Sequence, residues 1–598
     1  MQIRSDIQII RGLAVLLVVL FHLGLPLFSH GFLGVDAFFV ISGFLMALLY
    51  KPGNARTFYQ RRASRLLPAY FVTIIATVIA SALITLPSEQ TQVVKQGLYA
   101  AVFASNIGFW QQNSYFSKAE FTPLLHLWSL GVEIQFYLIV PLLFWFHARS
   151  RILLPLLALG SLGADLVLVS ISPKTAFFLL PFRIWQFLAG AAVARYLSQN
   201  GAVRFSRPVA GAFALVILLL VAVAFPVNGE SISPVYGHPA LGAILVTLAT
   251  AGVLACGLPQ VLEQSALGVM LHKLGDWSYS VYLAHFPVVV LALYVPFAGT
   301  ILTPSGPVQT LAIVAAIALV SAALYVLCDR RRIRISNVQT VGAMVGLTII
   351  VTLLTGSLSR MQYSAQELNI LDAFGDRGPF RCGILNRVVN RQAQFCELTE
   401  GLPATAPAVL FLGDSHADAL KTSVATVAQE QGVRLFFTVA NDPLIGRLGS
   451  AQILAEAEAR GVHGVLVHFS SGNADLALAT GFVDDAHQAG LDVAWLLPVP
   501  TYAQSVPALL WDARNTAPHP AIEPGNGAAI SHLEDQLLEQ GIPIYDPRPV
   551  LCPASCVLMD GQQHPFYFDS GHLSLTGARQ LEGLFGEIVA WFKQENGA

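Results

Sequence analysis

Long apolar runs separated by short polar loops dominate the chain up to about residue 360. Runs of near-spanning length lie at 7–25, 32–50, 67–86, 124–146, 152–171, 175–194, 207–225, 237–257, 277–298, 308–328 and 338–358. In lipid only helices and closed barrels satisfy their backbone, and these runs are too long and continuous for barrel strands. The pattern predicts a polytopic α-helical membrane region of about 11 transmembrane helices, with the weakly apolar stretch 90–115 interfacial or re-entrant.

Beyond residue 407 the pattern changes to short apolar strands that alternate with amphipathic helices. Strands are predicted in AVLFLGDSH, VRLFFTVAN, VHGVLVHFSS and LDVAWLLPVP, and helices near 416–431, 449–460, 478–489 and 525–540. This alternation is typical of a parallel sheet covered by helices, which is an α/β fold. We therefore expect a membrane domain at 1–335, an additional transmembrane helix at 336–360, a linker at 361–406 and an α/β domain at 407–598.

The composition supports this division and excludes some classes of function. Hydrophobic residues make up 55% of the chain and charged residues only 12%, against about 25% charged in an ordinary soluble protein. A net charge of -2 leaves no basic face for a run of phosphates, so nucleic acid is not expected as a partner. The histidines do not fall at ligand spacings, and no metal site is predicted.

Lys and Arg are distributed asymmetrically between alternate loops, which predicts the orientation. With the N-terminus in the cytoplasm, the loops on that side hold Lys51, Arg56, Arg61, Arg62, Arg65, Arg149, Arg151, Arg195, Arg204, Arg207, Lys273, Arg330, Arg331, Arg332 and Arg334. The opposite loops hold only Lys95, Lys118 and Lys174. An odd number of spans then places the chain after about residue 360 outside the membrane. No small-residue cleavage site follows the first run, which we read as retained.

Cysteine positions agree with this orientation. Cys256 and Cys328 lie in or beside spans. The exported segment, where disulfides can persist, holds Cys382, Cys396, Cys552 and Cys556. Proximity favours Cys382 with Cys396 and Cys552 with Cys556, although four cysteines allow other pairings and free thiols remain an alternative.

Two short motifs in the α/β region predict a nucleophile with its base. Ser415 follows the strand AVLFLG and precedes a helix, so a backbone N–H and the helix dipole face an oxyanion formed there. Near the other end, FYFDSGHLSLTGA places Asp569 three residues before His572. A short turn can bring this carboxylate onto one imidazole nitrogen while the other points at Ser415. The alternative is that GDSH is only a helix cap and DSGH only a turn.

These motifs resemble the SGNH hydrolase family, whose first block carries the nucleophile in GDS and whose last block is DxxH. The resemblance implies that Ser415 is the nucleophile, His572 the base and Asp569 the orienting acid. The family adds a Gly and an Asn as oxyanion donors, for which the best match is Gly472 and Asn473 in SSGNAD. The full GxND pattern is absent, and the Gly block is unassigned.

The membrane region carries ionisable residues that lipid does not tolerate without a reason. At 100° per residue, Arg11 and His22 share one face of the first helix, about 16 Å apart along its axis. Arg62 and Arg65 stand at i, i+3 spacing, where two guanidinium groups can hold phosphates together, although positive-inside topology also accounts for them. Further polar residues in apolar runs are Asp36, Glu133, Arg183 and His285. A carboxylate near His22 would orient it, and Glu133 and Asp36 are the candidates; the alternative for His22 is a hydrogen-bonded packing role.

Five ordered segments in residues 4–335 are similar to the membrane acyltransferase-3 family. They are RGLAVLLVVLFH, GFLGVDAFFVISGFLM, FYQRRASRLLPAY, LLHLWSLGVEIQFYLIVPLL and WSYSVYLAHFPV. The resemblance implies acyl-CoA as donor, with Arg11 and His22 as the family's paired Arg and His. It implies Arg62 and Arg65 as the RxxR and Glu133 as the acid of the WSL-VE segment.

The sequence departs from that family at two positions, which bear on specificity. The usual second acid after Glu133 is Ile134, and the Trp that often precedes the last histidine is Ala284. Fusion of this domain to an exported SGNH domain resembles bacterial O-acetyltransferases of lipopolysaccharide O-antigen and peptidoglycan.

The resemblances together imply a multi-pass enzyme of the bacterial inner membrane with a periplasmic C-terminal domain. It would pass an acyl group, acetyl rather than amino-acyl, from cytoplasmic acetyl-CoA to a hydroxyl of a surface glycan or lipid-linked glycan, with no bound cofactor. Arg11, Arg62 and Arg65 would bind the donor, His22 with Glu133 would move the acyl group, and Ser415 would receive it outside. His22 would either carry the acyl group or act as base. The rival interpretations are a membrane-anchored extracytoplasmic esterase and a transporter of an acylated glycan precursor, although no inverted repeat supports the latter.

Overall fold

The structure is a computed structural model that divides into two compact units, 1–359 and 360–598. It describes residues 4–112, 120–205, 207–229, 231–331, 333–379, 381, 394–438, 443–444, 448–472, 476–515 and 522–595. The described part of the first unit contains helices joined by loops and no strand, and the second unit combines a sheet with helices.

Six described helices of the first unit are long and apolar enough to cross a membrane. They are Ser5–His22, Gly31–Leu49, Ala55–Ile84, Leu127–Arg149, Pro307–Arg330 and Val338–Arg360, of which the second and fifth include a short 3-10 or π segment. Three shorter apolar helices are Leu153–Val169, Pro208–Ala224 and Leu241–Cys256. The remaining longer helices are Pro87–Ala101, Ile184–Gln199 and Ala266–Ala292. The chain therefore has several apolar candidate spans, and the predicted number of about 11 and their orientation stay predictions.

Helices occupy each of the predicted apolar runs, with two differences. The run 175–194 is broken into Pro173–Phe178 and Ile184–Gln199, because a turn that contains Pro181 intervenes. The run 277–298 falls largely in the longer helix Ala266–Ala292. The first half of this helix contains the polar segment HKLGD, which hides it from an apolar pattern. The stretch 90–115 contains the helix Ser105–Gln111 after a turn, and its interfacial position stays a prediction.

Glycines allow the first helix to pack directly against the backbone of Ala266–Ala292. A Cβ atom at Gly12 would lie 2.0 Å from the carbonyl oxygen of Leu271, and one at Gly275 would lie 2.0 Å from that of Gln8. Such reciprocal small-residue contacts let two helices approach closely where lipid provides no hydrophobic drive. The contact fixes the helix that carries Arg11 and His22 against the helix that carries His285.

The second unit contains a mixed six-stranded sheet, whereas a purely parallel sheet was expected. Its strands are β1 (Phe395–Glu397), β2 (Ala408–Gly413), β3 (Arg434–Thr438), β4 (Gly464–His468), β5 (Asp492–Leu496) and β6 (Ile544–Tyr545). The order is β1-β3-β2-β4-β5-β6, with β1 antiparallel to β3 and every other pair parallel. Without β1 this is the doubly wound order of flavodoxin-like sheets. The segment expected as a linker, 361–406, thus supplies the antiparallel edge strand.

Helices cover both faces of this sheet, and its central strands are buried. The helices are Ala365–Leu371, Ser415–Glu430, Ser450–Ala459, Leu476–Gln488, Val506–Ala513, Gly527–Glu539, Arg548–Leu551, Leu575–Arg579 and Glu582–Glu595. All residues of β2 and β4 are buried, as expected for a parallel sheet with both faces covered.

Cysteines of the second unit form disulfides. Cys552 is bonded to Cys556, as the sequence predicts. Cys396 is also disulfide-bonded, and its expected partner Cys382 lies outside the described residues. Cys256 and Cys328 of the first unit are free thiols.

Candidate active sites

Ser415, His572 and Asp569 meet at the carboxyl edge of the sheet. Ser415 begins the helix that follows β2, and Asp414 caps this helix by accepting the N–H of His416. The Oγ of Ser415 lies 2.8 Å from Nε2 of His572, and Nδ1 of His572 lies 2.7 Å from Oδ2 of Asp569. The exposed serine hydroxyl therefore has a base in hydrogen-bond contact, and that base has an orienting carboxylate.

Local electrostatics set the proton positions in this triad. Burial alone would raise the pKa of Asp569, but hydrogen bonds from the His572 ring and from the N–H groups of Gly571 and His572 lower it. Burial alone would lower the pKa of His572, but the hydrogen bond and charge of Asp569, with the charges of Asp414 and Asp418, raise it above 6.5. An ionised carboxylate only accepts, so Nδ1 of His572 donates to Asp569 and Nε2 accepts the Ser415 proton.

A second histidine, which the sequence pattern did not single out, packs against the base of the triad. His416 is buried, and its ring centroid lies 4.3 Å from that of His572. Burial, reinforced by the nearby His572, lowers the pKa of His416 to about 3, so this ring stays neutral. It can therefore pack against the base without competing for its proton. Its position directly after Ser415 in GDSH was the available signal.

The segment after β4, in which the oxyanion donors are predicted, begins at the same edge of the sheet. The N–H of Ser470 donates to Oδ2 of Asp414 at 3.0 Å, which ties the segment after β4 to the residue before Ser415. A Cβ at Gly472 would meet nothing within 4 Å, so this glycine borders open space. Asn473 lies outside the described residues. The oxyanion roles of Gly472 and Asn473 stay predictions.

The first unit contains a cavity of about 640 Å³ whose wall holds all three predicted donor-binding arginines. Arg11, Arg62 and Arg65 line it together with Glu133, and we call it the arginine cavity. Nη1 of Arg11 also donates to Oε1 of Gln8 at 2.9 Å. The rest of the wall is mainly apolar, and Ser129 and Tyr282 belong to it. The structure thus brings together residues from three helices that the sequence places far apart.

The two carboxylates predicted near His22 have other hydrogen-bond partners. Glu133 accepts hydrogen bonds from the hydroxyls of Ser42 and Tyr137 and belongs to the arginine cavity. Nδ1 of His22 lies 3.1 Å from a ring nitrogen of His285. The orientation of His22 by an acid stays a prediction.

Asp36, the other carboxylate considered, belongs to a separate buried cluster. Its Oδ1 accepts from Nη1 of Arg183 at 3.0 Å and from Nε2 of Gln186 at 2.6 Å. His238 lies 3.2 Å from Nη2 of Arg183. A buried Arg with a carboxylate and several further hydrogen-bond partners is compensated within the protein. A functional role of Arg183 and Asp36 stays a prediction.

His126 is a further buried residue that the sequence reasoning did not select. It lies directly before the helix Leu127–Arg149, and its ring contacts that of His285 at 5.7 Å between centroids. The signal was present, since an ionisable residue inside an apolar run marks a functional candidate in a membrane domain.

Comparisons with known proteins agree with the architecture. The model of the "Acyltransferase domain" family matches residues 4–326, and that of the "SGNH domain (fused to AT3 domains)" matches residues 381–587. A protein assigned as the membrane-bound transacylase BcsY of Komagataeibacter xylinus is 32% identical over 348 residues, which cover 57% of this chain and 86% of that protein.

One further relative and one solved structure carry acetyltransferase names. The O-acetyltransferase OatA of Staphylococcus aureus is 32% identical over 308 residues, 47% of this chain, and the match spans only 50% of OatA. A solved lipopolysaccharide acetyltransferase periplasmic domain of Salmonella ser. Paratyphi A covers 38% of this chain and 98% of that domain, at 14% identity and a TM-score of 0.31. The family matches, which confirm the resemblance seen in the sequence, show that this chain belongs to the family of membrane acyltransferases whose acyltransferase domain is fused to an SGNH domain.

Proposed function

We propose that this chain transfers an acetyl group from cytoplasmic acetyl-CoA to a hydroxyl of a cell-surface glycan, with Ser415 as the last carrier. The observation that carries the proposal is the hydrogen-bonded series Ser415, His572 and Asp569 on a chain whose other unit is an acyltransferase domain. One unit supplies a nucleophile and base for ester chemistry, and the other supplies a site for an activated donor.

The arginine cavity supports acyl-CoA as the donor. Coenzyme A carries phosphates, and guanidinium groups bind phosphate oxygens through paired, charge-assisted hydrogen bonds. Arg11, Arg62 and Arg65 face one cavity of about 640 Å³, which lies within the usual range of ligand pockets. Its apolar wall suits the uncharged arm and the thioester. We assign phosphate binding to the three arginines.

His22 acts on the thioester in the membrane unit. Its imidazole attacks the acyl carbon, or removes the proton of a hydroxyl that does so. In the first case a C–N bond forms, the C–S bond breaks, and the ring's N–H proton ends on sulfur. In the second case a C–O bond forms, the C–S bond breaks, and the hydroxyl proton ends on sulfur by way of the His22 ring. Both routes release free coenzyme A thiol and keep the acyl group on an activated carrier.

Ser415 then takes the acyl group from that carrier. His572 removes the serine proton through Nε2, the Oγ–C bond forms, the bond from carbon to the carrier breaks, and the proton passes to the carrier. A sugar hydroxyl next attacks the acyl-serine while His572 takes its proton. The C–Oγ bond breaks, the proton returns to Oγ, and the sugar ester leaves. Water in place of the sugar would make the same triad an esterase.

The second unit acts outside the cytoplasm in this proposal, with the chain in a bacterial inner membrane and its N-terminus in the cytoplasm. The disulfide between Cys552 and Cys556 supports this placement, because disulfides persist in oxidising compartments. The basic residues of alternate loops support the same orientation. The acceptor class is a lipopolysaccharide O-antigen, another polysaccharide or peptidoglycan, as the resemblance seen in the sequence implies. The relative named O-acetyltransferase supports the transfer of acetyl to an oxygen.

The experiment is the ester content of extracted surface glycans, measured by mass spectrometry in cells that express the wild type, Ser415→Ala or His22→Ala. We expect wild-type expression to add acetyl mass and either substitution to abolish the addition. Loss of acetyl mass in wild-type cells would establish the esterase instead. An unchanged ester content together with altered export of a glycan precursor would establish the transporter.

A further inference from the structure

Three histidines from distant parts of the chain form one buried cluster in the membrane unit. His22, His126 and His285 are 3%, 1% and 0% exposed, and we call them the histidine cluster. The ring centroid of His285 lies 5.1 Å from that of His22 and 5.7 Å from that of His126. The ring centroid of Phe286 lies 4.7 Å from that of His22 and 5.6 Å from that of His126. Three ionisable rings gathered at one buried place point to a function.

Hydrogen-bond partners fix the tautomers of two of these rings. Nδ1 of His285 lies 2.7 Å from the backbone carbonyl oxygen of Tyr282, which can only accept, so this nitrogen carries the proton. In the neutral ring Nε2 is then the acceptor, and it lies 3.1 Å from Nδ1 of His22. His22 therefore donates from Nδ1, and its lone pair belongs to Nε2. Neutral rings are favoured because burial in apolar surroundings penalises the charged form.

The ring of His126 has an unmet hydrogen-bonding need. Neither of its ring nitrogens makes a hydrogen bond of good distance and angle among the residues that the structure describes, although the residue is only 1% exposed. The backbone of Leu283 lies near enough to act on the ring electrostatically, but its geometry does not satisfy either nitrogen. Buried polar groups almost always have a partner, and an orphaned N–H calls for an explanation. The oxygen of a bound ligand would supply the missing acceptor.

Tyr282 connects the histidine cluster to the arginine cavity. Its side chain belongs to the cavity wall, and its hydroxyl donates to the backbone carbonyl oxygen of His126 at 2.9 Å. Its own backbone carbonyl holds His285. Ser129, also in the cavity wall, lies 2.5 Å from the Tyr282 hydroxyl. Tyr282 therefore belongs both to the wall of the arginine cavity and to the hydrogen bonds that hold two of the three histidines.

We propose that His126 and His285 complete the acyl-transfer site at His22. His126 is a catalytic residue whose ring N–H donates to the oxygen of the acyl carbonyl, and His285 is a positioning residue that keeps the His22 lone pair on Nε2. This inference rests on the proposed donor, an acyl thioester. Charge that develops on the carbonyl oxygen is stabilised by His126, as in an oxyanion hole. Charge that develops on the His22 ring is shared with His285 through the Nδ1 hydrogen bond.

The test uses the full-length chain in detergent with acetyl-CoA, and measures first-turnover release of free coenzyme A at several acetyl-CoA concentrations. His126→Phe and His285→Phe remove the donor and the acceptor, and we expect the maximal rate to fall roughly a hundredfold or more. The concentration for half-maximal rate should change by less than about threefold, because neither ring binds phosphate. His272→Phe, on the same helix as His285 but half-exposed, is the matched control and should keep the wild-type rate.

Glutamine variants separate hydrogen bonding from packing. A Gln at 126 can donate and a Gln at 285 can accept, so His126→Gln and His285→Gln should recover to within roughly tenfold of the wild-type rate. A more than tenfold loss of rate in both Gln variants would overturn the proposal. If a Phe variant aggregates, the Gln variants alone provide the test. Wild-type rates in both Phe chains would also overturn it. If the wild type itself releases no coenzyme A, the proposed donor is wrong, which is a separate result.

Discussion

Replacing Asp569 with Asn tests the triad most sharply, because the structure dictates how the amide must sit. Oδ1 of Asp569 accepts the N–H groups of Gly571 at 2.8 Å and His572 at 2.7 Å, while Oδ2 faces Nδ1 of His572. In Asp569→Asn the amide oxygen must take the first position, since both backbone groups donate. The amide NH₂ then donates to Nδ1, which moves the ring proton to Nε2.

With its proton on Nε2, His572 no longer accepts the Ser415 proton. The geometry stays intact, yet the base is lost, and a wrong tautomer of this kind costs about 10⁴-fold in rate. The assay is hydrolysis of a fluorogenic acetyl ester by the full-length chain, with Ser415→Ala as the blank. It reports on the triad without any donor or glycan.

Asp560 offers a matched control for this variant. Its Oδ2 lies 2.9 Å from Nδ1 of His564, and its Oδ1 accepts the N–H groups of Gln562 and His564. The arrangement repeats that of Asp569 without a serine at the other ring nitrogen in the described contacts. We expect Asp560→Asn to keep the wild-type rate. An Asp569→Asn chain that retains more than about a tenth of the wild-type rate would refute the triad assignment.

Three further predictions follow from single features of the structure. Arg62→Gln should raise the acetyl-CoA concentration for half-maximal coenzyme A release roughly tenfold or more. Arg61 does not line the cavity, so Arg61→Gln should leave this concentration unchanged. The same concentration in both variants would show that Arg62 does not bind the donor. The pKa of His572 is raised above 6.5, and only the neutral ring is a base. The rate of ester hydrolysis should therefore be maximal at high pH and fall as the pH drops through that raised pKa. A rate that falls only below pH 6.5 would contradict the pairing with Asp569. Gly12→Val should lower the free energy of unfolding of the detergent-solubilised chain by about 1–3 kcal/mol, because a Cβ there would lie 2.0 Å from a carbonyl oxygen. Gly160→Val is the control, since a Cβ at Gly160 would meet nothing within 4 Å. Equal stability of the two variants would refute the close packing at Gly12.

The fold was predictable where hydrophobic pattern and element length agree. The apolar runs all coincide with helices, and the strands β2, β3, β4 and β5 lie where alternation with helices places them. The two edge strands were missed because β1 has three residues and β6 has two, too few for a periodic pattern. Whether an edge strand pairs antiparallel depends on tertiary contacts that no local pattern contains.

The sites differ in how far the sequence could specify them. Asp569 and His572 could be found because three residues of turn are enough to bring the carboxylate onto the imidazole. Ser415 could be found because it lies between a predicted strand and a predicted helix. The partner of His22 was missed because His285 is 263 positions away in the chain. A buried carboxylate was the plausible orienter from chemistry alone, and only packing shows that Glu133 accepts from Ser42 and Tyr137.

The central claim is that one acyl group passes through the membrane unit to Ser415, and labelled acetyl-CoA tests it directly. The full-length wild type is incubated with labelled acetyl-CoA in the absence of acceptor, quenched in acid and digested, and its peptides are mapped by mass spectrometry. We expect label on the peptide that contains Ser415 in the wild type, and none on the corresponding peptide in His22→Ala or Ser415→Ala. Label on that peptide in His22→Ala would show that Ser415 is acylated without the membrane unit's histidine, and no label on it in the wild type would show that Ser415 is not the carrier.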